Sequence, residues 1–139
     1  MQSKPDDNSL PAEKPLHLYE YAIIRLMPDV ERGEQLNVGL AMMCKRRRWL
    51  RVEIDFDPAL AARLAPACEL DAVARQLDAF VEVASGRSES PIAELDAHER
   101  FRWLTAVRSA CIVTSRPHPG KTPDLDATFN RLFERLVKH

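Results

Sequence analysis

Three short apolar runs crowd into residues 19–54, and each is cut off by proline, glycine or a block of charge before it reaches helical length. Residues 19–27 (YEYAIIRLM) are aromatic and β-branched and stop at Pro28, which lacks the N–H a strand would need to continue. Residues 36–44 (LNVGLAMMC) alternate, with Leu36, Val38, Leu40 and Met42 on one side and the smaller Asn37, Gly39 and Ala41 on the other. Residues 49–54 alternate again, Leu50, Val52 and Ile54 pointing inward and Arg51 and Glu53 outward. The spacing predicts an antiparallel three-stranded meander.

Helical spacing takes over next. Asp57 followed by Pro58 reads as an N-cap and first helical residue, with a short helix to Leu64. Leu70, Val73, Leu77, Phe80, Val81 and Ala84 recur on one stripe until Gly86, which suits a helix C-terminus. Asp96 and Glu99 resemble a capping box ahead of Phe101 and Leu104, with Trp103 beside them. Residues 109–115 (SACIVTS) read as a fourth strand whose place in the sheet is open, followed by a proline-rich loop. Thr122 and Pro123 then read as cap and first residue of a closing helix, along which Leu125, Phe129, Leu132, Phe133, Leu136 and Val137 form an apolar face. The order βββαααβα predicts an α+β domain, an antiparallel sheet of three to four strands with helices packed mainly on one face.

A chain of 139 residues fits one domain with one hydrophobic core. Residues 1–16, with three prolines and no apolar period, read as a flexible tail, leaving residues 17–139 as the domain. Twenty basic against twenty-one acidic residues leave a net charge of -1, so there is no global field to draw in nucleic acid or anionic lipid. No apolar run approaches the length of a membrane span and no signal core is visible, so no membrane association is expected. Cys44, Cys68 and Cys111 form no CxxC pattern and are odd in number; thiols reduced in a cytoplasmic setting and packed as small hydrophobes fit best.

The connection at residues 27–39 (MPDVERGEQLNVG) carries more chemistry than a turn requires. Glu31 and Glu34 are read either as an acid–base or cation-binding pair, or as ion-pair partners of Arg32. Arg25 shares a face with Tyr21 and Ile23; it fits an internal pair with a residue such as Glu34, or a fork for phosphate or carboxylate. Arg108 and Ser109 lie where a helix gives way to a strand, and His118 sits between two prolines ahead of a helix N-terminus, where anions are favoured. With Asn37, these residues make one candidate polar site if they converge. Lys45, Arg46, Arg47, Arg48 and Arg51 around Trp49 could meet phosphates, or simply solvate a hairpin tip. His17, His98, His118 and His139 are dispersed and no pair has zinc-ligand spacing, so neither metal nor cofactor is expected. No motif decides whether the chain is catalytic.

The string YEYAIIRLMPDVERGEQLNVGLAMMC, with RFRWLTAVRS and the loop from His118 to Gly120, resembles the bacterial domain of unknown function 3037 family over residues 17–138. The resemblance implies a small bacterial protein without an established activity, often encoded near kinases similar to the high-persistence toxin kinases. It thereby suggests a kinase partner and a role in interaction or regulation. Pro119 departs from the less restricted residue expected between the histidine and the glycine, which puts a flexible movement of His118 in doubt. The resemblance supplies no catalytic residues. An enzyme or binder acting on an anionic, phosphorylated ligand through the polar site, and a nucleic-acid binder acting through the basic hairpin, are the alternatives.

Overall fold

A computed structural model describes residues 14–29, 31–65, 68–87, 89–106 and 111–138. The expected meander is present: β1 (His17–Leu26) pairs antiparallel with β2 (Leu36–Cys44), and β2 with β3 (Trp49–Ile54). Three helices follow, α1 (Pro58–Leu64), α2 (Leu70–Ser85) and α3 (Ala97–Ala106), with a single 3-10 turn at Pro91–Glu94 before α3. Asp57 caps α1 by accepting from the Ala59 and Leu60 amides, and Gly86 ends α2 in the left-handed conformation, both as the sequence predicts.

The fourth strand, β4 (Ile112–Thr114), adds to the free edge of β1. The proline-rich stretch after it is also a strand, β5 (His118–Thr122), which pairs with the first half of β1 along the same edge. Ser115 joins the two. Its amide donates to the Ile23 carbonyl while its hydroxyl accepts from the Ile23 amide, so β1 keeps its hydrogen bonds across the break. Pro117 and Pro119 lie on this edge, where a missing N–H costs no ladder bond.

The fold is α+β, an open antiparallel five-stranded sheet. Helices α1 to α3 cover one face over Ala22, Ile24, Leu26, Val38, Ala41, Met43 and Val52. The closing helix α4 (Leu125–Leu136) takes the other face, alone among the described helices, over Leu40, Met42 and Cys44. The sheet therefore divides the expected single interior in two. A bulge in β2 makes this division possible: Ile24 faces Gly39 but Arg25 faces Asn37, so Val38 is the extra residue. Beyond it the side chains change sides, and Leu40 and Met42 part from Leu36 and Val38, with which simple alternation would group them.

Gly39 stands at this bulge because a β-carbon there would lie 2.5 Å from Ile54 Cδ1 and 3.0 Å from the Glu53 carbonyl oxygen. The second atom is backbone and cannot rotate away. Gly39→Ala is therefore expected to cost about 1–3 kcal/mol as overpacking in a closed sheet, read as a lower urea midpoint with unchanged slope. An unchanged midpoint would mean that the strands separate freely at this position.

Helix α4 starts two residues later than Thr122 and Pro123 suggest. Asp124 is its N-cap, accepting from the Ala127 amide at 3.0 Å, while the Thr122 hydroxyl accepts from the Asp124 amide and from Thr128. At the far end the Asn37 side chain donates to the Leu136 carbonyl at 2.9 Å, fixing the end of α4 to the bulged strand.

The cysteines divide as well. Cys44 is free and buried among the α4 contacts, in keeping with a small hydrophobe. Cys68 and Cys111 instead form a disulfide that joins the start of α2 to the approach to β4, correcting the expectation of three reduced thiols. Among the described residues, no helix is long and apolar enough to cross a membrane.

Candidate interaction surface

The sheet has two ends. One holds the connection from β1 to β2; the other holds the start of β1, the tight turn at residues 45–48, the end of β5 and the start of α4.

At the first end, only part of the expected polar site comes together. Arg25 and Asn37 face each other across β1 and β2, with Arg25 Nε donating to Asn37 Oδ1 at 3.4 Å, so the partner of Arg25 is this amide rather than Glu34. Glu34 belongs to Arg32, whose Nε and Nη2 reach its two carboxylate oxygens at 2.8 and 3.1 Å. That guanidinium holds the Glu34 carboxyl below its ordinary range, and both groups stand in open solvent. Glu31 is exposed beside them, its amide donating to Asp29 Oδ1. Arg108 and Ser109 lie outside the described residues. His118 sits in β5 opposite Tyr21, its ring stacked on that tyrosine at 5.0 Å. Four strand positions separate Tyr21 from Arg25, roughly 13 Å along β1.

The basic run also splits. Trp49 packs inward with the α4 cluster. Arg51, which simple alternation sends to solvent, lies under α4: it pairs with Glu53, reaches Asp126 Oδ1 at 2.8 Å and Asn130 Oδ1 at 2.9 Å, and stacks 4.1 Å from the centre of the Phe129 ring. It works as a cross-element clamp. Lys45, Arg46, Arg47 and Arg48 remain exposed at the turn, where Arg48 takes a positive φ of 49°.

The second end shows what sequence reading assigned to a tail or left unremarked. Leu16 is 61% and Leu18 65% exposed, the two largest exposures among the large hydrophobic residues described. Leu18 is on the α3 face of β1, directly opposite Lys121 of β5, and the register of β1 with β2 carried two residues further places Lys45 on its other side. Behind this row, Glu20 lies between Met43 and Pro119. Arg102 of α3 grips Glu20 with two hydrogen bonds of 2.8 and 2.6 Å, which hold the carboxyl below its ordinary range. His98 stands one helical turn before Arg102 on the same side of α3, and together these residues bound a cleft of about 390 Å³. A second cleft, of about 410 Å³, runs between Leu16, Leu18, Arg46 and Arg47. Around the turn, Arg47 approaches His17 at 3.4 Å.

The end is thus apolar in its middle and cationic at its rim. Among the described residues Lys45, Arg46, Arg47 and Lys121 form no ion pair, and the nearest carboxylates are engaged: Glu20 by Arg102, Asp126 by Arg51, and Asp124 as the cap of α4. No group of three or more histidine, cysteine or acidic side chains among the described residues is placed to hold a metal ion. The only prior sign of this surface was the pair of leucines in an otherwise polar opening segment.

A family model described as protein of unknown function (DUF3037) matches residues 21–137. No curated protein and no solved structure matches the chain.

Proposed function

The chain belongs to the DUF3037 family of proteins of unknown function, and from that premise we propose that it is an interaction or regulatory module whose partner is a neighbouring toxin-type serine/threonine kinase. The observation that carries the first half is the pair of exposed leucines, Leu16 and Leu18, at the sheet end where the clefts gather. Apolar side chains with this exposure, clustered and rimmed by charge, are the usual mark of a protein contact. The kinase enters through the gene neighbourhood that the family resemblance implies.

Other readings have less to draw on. An enzyme acting on an anionic ligand would start from Arg25 and Asn37, because Arg32 and Glu34 are occupied with each other and His118 stacks on Tyr21 further along the strand. A nucleic-acid surface would have to work without Trp49 and Arg51, which are committed to α4.

The test is retention of the kinase encoded beside this chain by the tagged full-length protein, followed by kinase assays with and without it. Retention is expected, with a change in phosphorylation rate. Substituting both leucines, Leu16→Asp with Leu18→Asp, is expected to weaken retention about tenfold or more, as loss of a central apolar contact does. If the intact protein does not associate with that kinase, the kinase reading is wrong.

A further inference from the structure

The cationic rim says more about what this end accepts. We propose that it docks an extended segment of a partner protein in which an apolar side chain is flanked by carboxylates. The apolar side chain would rest on Leu16 and Leu18 and enter the cleft over Met43, and the carboxylates would meet Lys45, Lys121 and Arg47. This deepens the interaction-module reading and rests on it.

Three arguments select that occupant. The first is the arrangement of the row Lys45, Leu18, Lys121, in which cations lie about one strand spacing on either side of a leucine that is mostly in solvent. A ligand that only neutralised the cations would leave both leucines in water, and a purely apolar one would desolvate lysines without partners. A segment alternating between apolar and acidic residues satisfies both. The second argument is against a second copy of the chain. A two-fold contact through this end would oppose Lys45, Arg46, Arg47 and Lys121 to the same residues, with Glu20, Asp124 and Asp126 already engaged inside each chain. The third is against a nucleic acid strand, since the centre of the surface offers aliphatic side chains where base stacking requires aromatic ones.

The cleft beside Leu18 also has the right walls. Its floor is Met43, and its far wall is α3 with His98 and Arg102. At about 390 Å³ it admits one apolar side chain with a neighbouring carboxylate. Arg102 keeps Glu20 as its partner, which leaves Lys45 and Lys121 to receive the ligand's charge.

The experiment is a displayed library of random decapeptides selected on the full chain, repeated on Lys45→Glu with Lys121→Glu and on Leu18→Asp, each confirmed folded by its thermal transition. The expected result is enrichment of peptides that pair Leu, Ile or Phe with Asp or Glu, and binding of a synthesised winner about tenfold weaker to both variants, with affinity falling as salt rises. Enrichment of basic or uncharged peptides, no enrichment, or winners that bind the variants equally would overturn the proposal. So would a dimer that Leu18→Asp dissolves, or retention of a single-stranded oligonucleotide that the lysine variant alone abolishes. The two levels stay separable: if the kinase is retained by the Lys45→Glu, Lys121→Glu variant, the module reading stands and this docking chemistry fails.

Discussion

Opening the Cys68–Cys111 disulfide is expected to lower the melting temperature of the domain by about 7–14 °C. The two cysteines are 43 residues apart in sequence; the loop-entropy account gives about 4 kcal/mol for a loop of that size, the upper end of the about 2–4 kcal/mol that such bonds typically contribute. The native state gains from the same bond by position. Cys111 accepts the Met27 amide through its carbonyl at 2.7 Å just beyond β1, and both sulfurs pack against the α2 and α3 cluster. Spread over 139 residues, a loss of that size gives the stated shift. Calorimetry with and without a dithiol reductant measures it. The variant with Cys68→Ser and Cys111→Ser should melt at the lower temperature under both conditions, and Cys44→Ser should keep the reductant response. Equal melting of the parent protein in both conditions would show that the bond contributes nothing. The result also bears on setting: disulfides persist where thiols are oxidised, so in a reducing cytosol the domain would live with its weaker stability.

Much of the fold was open to sequence reasoning, and the failures have particular causes. Aromatic and β-branched composition ending at Pro28 located β1, period-two alternation located β2 and β3, and Asp57 and Gly86 marked helix ends through backbone chemistry that is local. Alternation failed at β2, where one extra residue, Val38, reverses every side chain beyond it. A nearly continuous apolar run was the available sign that both faces of this strand are covered. The closing helix showed its apolar stripe plainly, yet amphipathicity says that a face is buried and not which side of a sheet will bury it. His118, Pro119 and Gly120 have poor strand propensity and suggest a loop; β5 exists because β1 offers a free edge and because Gly120 leaves room for the Tyr19 ring to lie across it.

The polar residues were legible in kind and not in partner. Arg32 and Glu34 are close enough in sequence for their pairing to be visible there. Arg25 with Asn37, Arg51 with Asp126, Asn37 with Leu136 and Cys68 with Cys111 join positions that only the folded chain brings together. The docking surface escaped for a similar reason. Leu16, at the end of the expected tail, and Leu18, just inside the domain, look like stray hydrophobes until β5 sets Lys121 beside Leu18 and α3 closes the cleft behind it.

Phe129→Ala is expected to cost about 3–5 kcal/mol, because the ring is fully buried and nothing nearby is free to fill the space it leaves. Phe129 lies at the centre of α4, among the described residues the only helix on its face of the sheet. Phe133 stacks beside it with ring centres 6.0 Å apart, and Arg51 lies over it at 4.1 Å while holding Asp126 and Asn130 at the helix surface. Removing the ring therefore removes the packing and also the π face on which the clamp rests. Protease cleavage of the α4 segment should accelerate before the rest of the domain yields, since the substitution takes its packing from that segment first. A loss below about 1 kcal/mol would mean that α4 is not held on this face. The disulfide and Phe129 sit on opposite sides of the sheet and belong to separate core clusters, so their effects should add within about 0.5 kcal/mol. Their sum, about 5–9 kcal/mol, is comparable to the whole stability of an ordinary domain, so Phe129→Ala under reducing conditions should be largely unfolded at 25 °C. A combined cost clearly greater than the sum would show that β2, whose two sides line both clusters, transmits a loss on one face to the packing of the other.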